Sequence, residues 1–197
     1  MCVQVVARSQ SLSRSAFLTR SRPQVGGSSG HASIALAKAC PSLHFVVQDL
    51  PTVIETARAN LPAQLEAHVA ERITFEAHDF FQAQPVLDAD VYLLRMILHD
   101  WPPAEATSIV TNIYKALKPG ARIVVMDTAL PVPGSIGVSQ EAQLRARDLT
   151  MMETFNAHER DMDEWHGLFA GVDERLRIKR VVQPFNSNMA VMEVVLG

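Results

Sequence analysis

Acidic residues are absent from the first 48 positions of this 197-residue chain; the first is Asp49. Cysteine is nearly absent too, with only Cys2 and Cys40. Two distant cysteines exclude a disulfide scaffold and a cysteine-built metal site, and they point to a reducing compartment, the cytoplasm. No apolar run approaches the roughly 20 residues that a membrane helix needs, so no membrane span is expected. The seven histidines include no i, i+4 pair, and no metal ion is expected. A formal net charge of −3 supplies no basic face, which argues against a nucleic-acid partner. What remains is ordinary for a globular domain: 48% hydrophobic and 20% charged residues, enough for one core.

The acid-poor start is unlike the rest. Arg8, Arg14, Arg20 and Arg22 lie among Ser9, Ser11, Ser13, Ser15 and Ser21. Such a composition can belong to a mitochondrial transit peptide, but reads first as a disordered or truncated start. Residues 1–24 are therefore read as an atypical, poorly ordered leader, and residues 25–197 as the domain.

From residue 25 onward the pattern is regular. Gly26-Gly27-Ser28-Ser29-Gly30 is a glycine-rich turn, followed by helical spacing from His31 to Cys40 that Pro41 stops. Leu43 to Gln48 has strand length, and Thr52 to Asn60 reads as a helix. Arg72 to Ala77 alternates, and Val91 to Met96 is an apolar run apart from Arg95, as in a strand buried on both faces. Ala104 to Leu117 places Ile109, Ile113, Ala116 and Leu117 on one helical face, and Lys118-Pro119-Gly120 ends it. Arg122 to Met126 is another strand. Helices follow at Gln140 to Thr154 and Asp161 to Ala170, then strands at Arg177 to Gln183 and Ala190 to Leu196. Alternating strands and helices predict an α/β fold with a mostly parallel sheet. The last two strands have no helix between them, which predicts a C-terminal antiparallel hairpin.

In such sheets, ligands bind beyond the carboxyl ends of the strands. Four features collect there. The glycine turn lets backbone approach a ligand. Asp49, at the end of the next strand, can accept the hydroxyls of a ribose, or can simply cap the following helix. Asp79 and Phe80 suit an adenine ring, one bonding and one stacking, or else belong to a plain turn. His99 follows the strand Val91 to Met96, and Asp127 and Glu159 lie on other loops at the same edge. Three titratable groups gathered there form an acid–base cluster.

Leu98-His99-Asp100-Trp101, Ala116-Leu117-Lys118-Pro119-Gly120, Val124-Val125-Met126-Asp127 and Asn156-Ala157-His158-Glu159-Arg160 occur in an order and spacing that resemble the plant and fungal small-molecule O-methyltransferases of the caffeate and flavonoid type. The resemblance implies a Rossmann-like class I methyltransferase sheet, S-adenosylmethionine as cofactor, and a small aromatic hydroxyl as substrate. It implies that Gly26, Asp49, Asp79, Phe80 and Arg95 meet the cofactor. His99 would be the base, flanked by Asp127 and Glu159, and Met151 or Met152 would pack on the substrate ring. Two departures stand out. The family's N-terminal helical domain, which makes it a homodimer, has no counterpart here. Its apolar first strand is replaced by Ser21-Arg22-Pro23-Gln24-Val25, where Pro23 makes a poor central strand. A degraded or missing first strand and a truncated enzyme are therefore expected. Two other readings stay open. One is a non-catalytic cofactor-binding fragment. The other is a nicotinamide-dependent oxidoreductase, although Gly26 to Gly30 lacks the G-x-G-x-x-G spacing.

Overall fold

A computed structural model describes residues 4–9, 31–59, 65–87, 89–185 and 187–197. The elements run β1 (Gln4–Ser9), α1 (His31–Ala39), β2 (Leu43–Asp49), α2 (Pro51–Ala59), α3 (Ala67–Ala70), β3 (Ile73–Ala77) and β4 (Val91–Arg95). A single 3-10 turn at Leu98–Asp100 precedes α4 (Pro103–Tyr114) and β5 (Arg122–Asp127). Then come β6 (Ala129–Leu130), α5 (Val138–Phe155), β7 (Arg160–Asp161), α6 (Met162–Val172), β8 (Leu176–Val182) and β9 (Ala190–Leu196).

One seven-stranded sheet, ordered β3-β2-β1-β4-β5-β9-β8, organises the molecule. β2 pairs parallel with β3, and β4 pairs parallel with β5. β1 lies antiparallel between β2 and β4, so all four of those strands point the same way. β8 and β9 form the expected antiparallel hairpin, with β9 antiparallel to β5. Five of the seven strands thus share one direction, and only β1 and β9 oppose it.

The amino-terminal reading needs correction. Gln4–Ser9 falls within the span read as a leader, yet its backbone pairs with both neighbours at the centre of the sheet. The composition of arginine and serine hid a short β-branched stretch, Val3 to Ala7, which has strand propensity. The centre of the sheet is therefore filled, by a strand running opposite to the expected first strand. Ser21 to Val25 and the glycine turn with Gly26 lie outside the described residues.

The core follows from the strand patterns. Tyr92, Leu93 and Leu94 of β4 are all buried, as a strand covered on both faces requires. β5 alternates, burying Ile123, Val125 and Asp127. α4 buries Ala106, Ile109, Val110 and Ile113, and it packs against α6, which buries Trp165, Leu168 and Phe169. α6 starts with a capping box between Asp161 and Glu164. Against this, α5 buries only Leu144 along its whole length and leaves Val138, Leu149, Met152 and Phe155 exposed. Among the described residues no helix is long and apolar enough to cross a membrane.

Arg72 ties α1 to β3. Its Nη2 donates to the Ala37 carbonyl at 2.6 Å, Nη1 to Cys40 and Leu43 at 3.0 and 3.1 Å, and Nε to His68 at 2.9 Å. A cation here satisfies carbonyls that the end of α1 leaves open and complements the helix dipole. Arg72→Ala is expected to lower unfolding stability by about 2 kcal/mol, the order of a few charge-assisted bonds partly replaced by water. Urea denaturation at pH 7 checks this; an unchanged midpoint refutes the role.

Candidate functional site

Four parallel strands end at one edge of the sheet, and each ends on or runs into polar residues. β2 ends at Asp49, β3 leads into His78-Asp79-Phe80, β4 leads through Met96 to His99, and β5 ends at Asp127. Met96 has φ of 51°, a left-handed conformation uncommon for a side chain of this size. It turns the chain out of β4 directly into the turn that carries His99.

A cavity of about 1140 Å³ opens along this edge. Asp49, His78, Asp79, Phe80, Asp100 and Trp101 line it, and Met152 and Asn156 of the α5 end close one side. Asp49 is buried; its Oδ1 accepts the Leu50 N–H at 2.7 Å, while Oδ2 has no partner. Burial pushes its pKa up to about 6, against the lowering effect of that backbone bond. His78 Nε2 and Trp101 Nε1 are likewise buried without partners. Burial lowers the His78 pKa, and Glu76 and Asp79 offset this only in part. Asp79 Oδ1 accepts the Phe81 N–H at 2.9 Å, which fixes the loop. Phe80, Phe81 and Trp101 meet edge to face, with ring centroids 4.8 to 5.8 Å apart. The cavity thus offers an unsatisfied carboxylate, two unsatisfied ring nitrogens and a wall of aromatic rings. That donor set fits a nucleoside with its ribose at Asp49.

Beside the cavity, behind Asp100, lies the acid–base cluster. His99 is 2% exposed. Its Nδ1 is 3.1 Å from Glu159 Oε1 and 3.7 Å from Asp127 Oδ1, and its Nε2 is 3.3 Å from Asp100 Oδ1. Burial by itself lowers the imidazole pKa. The Glu159 bond and the charges of Asp127, Glu159 and Asp100 outweigh it, so the pKa is raised above the usual value. Asp127 is fully buried, accepts the Thr128 N–H at 3.2 Å and the His99 N–H, and keeps Oδ2 unpartnered. Burial raises its pKa to about 6, with His99 pulling the other way. Glu159 differs. Burial would raise it, but the His99 bond and the charges of His99 and Arg147 hold it below the usual range.

Donor atoms of His99, Asp127 and Glu159 lie within 4.8 Å of one another, a spacing that a metal ion would accept. The Arg147 cation, however, already sits 2.7 Å from Glu159 Oε1. A second cation there would meet direct repulsion, and the imidazole already lies between the two carboxylates.

The structure brings most of the expected residues together, but not all. Asp49, Asp79, Phe80 and Met152 line the cavity, and His99, Asp127 and Glu159 form one cluster. Arg95 does not line the cavity; it ends β4 with its Nε buried and unpartnered. Met151 does not line it either, since it lies about 100° around α5 from Met152. Sequence reasoning gave no role to Asp100, which borders both cavity and imidazole, nor to His78, Arg147, Asp148 and Arg160. Arg160 is 2% exposed, donates to the Leu98 carbonyl at 2.6 Å and the Trp101 carbonyl at 2.8 Å, and lies 5.3 Å over the Trp165 ring. It clamps both ends of the His99 turn. Only its adjacency to Glu159 signalled this.

A family model described as an O-methyltransferase domain matches residues 2–172. The O-methyltransferase VdtC of Byssochlamys spectabilis is 58% identical over 174 residues, covering 88% of this chain and 40% of the relative. The chain therefore spans less than half the length of that relative. Among solved structures, LepI in complex with SAM is similar with a TM-score of 0.76 and 30% identity, covering 94% of this chain and 45% of that one. NcsB1, an O-methyltransferase from neocarzinostatin biosynthesis solved with S-adenosylmethionine and 2-hydroxy-5-methyl naphthoic acid, aligns with a TM-score of 0.70 and 25% identity, covering 87% and 46%.

The raised Asp127 pKa has a consequence for stability. An acid whose folded pKa lies above its unfolded value stabilises the fold at low pH and loses that contribution as pH climbs through the folded pKa. For Asp127 the loss falls between about pH 4 and pH 6. Asp127→Asn, which keeps an oxygen for both backbone N–H groups, should melt higher than the parent above pH 6 and match it near pH 4. Calorimetric melting across that range decides it; an Asn variant that is less stable at pH 7 refutes the assignment.

Proposed function

Since the chain belongs to the O-methyltransferase family, we propose that it is the cofactor-binding, base-carrying domain of an S-adenosylmethionine-dependent enzyme that methylates a hydroxyl of a small aromatic molecule. The observation that carries this is the placement of His99. Its Nδ1 is held on Glu159 Oε1, and its Nε2 is turned toward Asp100 on the cavity wall.

When bound, S-adenosylmethionine supplies a methyl group on a positively charged sulfur. Asp49 would accept the ribose hydroxyls, for which its orphan Oδ2 is available. Asp79 and Phe80 would take the adenine, one by hydrogen bond and one by contact with its face. A phenol has a pKa of about 10 and is mostly protonated at neutral pH. His99 Nε2 would accept its proton as the oxygen attacks. Glu159 keeps the other proton on Nδ1, so the correct nitrogen faces outward, and together with Asp127 it stabilises the imidazolium that forms. Asp100 must yield its place beside Nε2 to the substrate oxygen. Because imidazolium is favoured in the resting cluster, the acid limb of the rate profile should lie above pH 6.5. Met152 lies on the α5 side of the cavity, where an aromatic ring would pack.

A second reading is favoured by one feature. α5 leaves Leu149, Met152 and Phe155 exposed. A piece that binds cofactor without turnover fits this. Calorimetry with S-adenosylmethionine and transfer of a labelled methyl to a panel of phenols separate the two.

His99→Ala is expected to abolish methyl transfer and leave cofactor affinity within about twofold; near-normal turnover removes His99 as the base. Asp49→Asn should weaken cofactor binding by about ten- to a hundredfold, the loss of charge-assisted bonds. In the parent, affinity should rise as pH passes through 6 and Asp49 ionises; in Asp49→Asn that rise should vanish. A rise that persists points to another group.

A further inference from the structure

Glu159 holds more than the imidazole. Its Oε1 lies 3.1 Å from His99 Nδ1 and 2.7 Å from Arg147 Nε. Its backbone N–H donates to Asp148 Oδ1 at 2.8 Å. Arg147 and Asp148 are adjacent on α5, so one helix grips both the main chain and the carboxylate of Glu159. Arg147 is 27% exposed, and solvent screens it only in part. Among the described residues, its single polar partner is Glu159.

We propose that Arg147 is a positioning residue that sets the basicity of His99 by sharing Glu159 Oε1 with it. The inference rests on the reading of His99 as the base. Two donors on one oxygen divide its acceptor strength. The shared guanidinium weakens the pull of Glu159 on the Nδ1 proton, and its positive charge opposes a second one on the ring. The other charged groups around His99 are Asp127 from β5, Asp100 on its own turn, and Arg160 from β7, whose Nη1 sits on the Leu98 carbonyl. Three carboxylates thus face the imidazole environment, and Arg147 is bonded directly to the one that holds Nδ1. Without it the imidazolium would be over-stabilised, and fewer molecules would carry a free Nε2 lone pair at neutral pH. Arg147 keeps the base usable without touching the reacting atoms.

The test uses the full chain with labelled histidine, the His99 signal being assigned by its loss in His99→Gln. In Arg147→Met the midpoint of the His99 titration by NMR should rise by about half to one unit, the size of a partly screened neighbouring charge. Arg147→Lys, which keeps the charge, should return it to within a few tenths of the parent. If Arg147→Met fails to fold by circular dichroism, Arg147→Gln, which keeps a donor at Oε1 and loses only the charge, should give a smaller rise in the same direction. An unchanged or lowered midpoint in a folded variant overturns the proposal. The acid limb of methyl transfer should move with the midpoint. A midpoint that moves while the limb stays overturns His99 as the base, and leaves the hold of Arg147 on the imidazole standing.

Discussion

The hydrogen bond between His99 Nδ1 and Glu159 Oε1 is the constraint on which the site depends. It joins two residues 60 positions apart in the chain, and both are almost fully buried. A buried carboxylate without a partner would take up a proton, and a buried imidazole without one would stay neutral. Paired, each holds the other in its charged form. Much nearby structure serves to keep the pair in register. Arg160 fixes the turn under His99, Asp148 fixes the main chain of Glu159, and the left-handed Met96 aims β4 at the meeting point.

The cavity and the cluster follow different electrostatic logic. In the cavity, Asp49 is desolvated with no cation bonded to it among the described residues, so burial lifts its pKa to about 6. In the cluster, Asp100, Asp127 and Glu159 surround one imidazole, with Arg147 and Arg160 close by. Counting full charges, three negative groups meet two permanent positive ones, and a proton on His99 completes the balance. Those carboxylates favour the protonated ring and lift its pKa above the usual value.

Much of this was legible in the sequence because strand ends are. The parallel strands β2 to β5 show as apolar or alternating runs, and the polar residues at or just past their ends mark the site edge, as at Asp49, Asp79, His99 and Asp127. The final hairpin showed as two strands with too short a connection for a helix. The misses have physical reasons as well. β1 was hidden because a six-residue strand carries little periodicity and arginine and serine follow it closely. Arg95 is the last residue of β4, where a side chain chooses its face by packing that no motif reveals. Met151 and Met152 differ by one step around a helix, which composition does not resolve. Arg147 and Asp148 act through a contact between α5 and a distant loop, and such pairings are invisible until the chain is folded.

α5 is a rod of 18 residues with a single buried anchor, Leu144. Near its middle it grips the carboxylate under the imidazole, and its last turn forms a wall of the cavity. Both working points lie on the same side of Leu144, so the wall of the cavity and the support beneath the imidazole belong to one continuous helix.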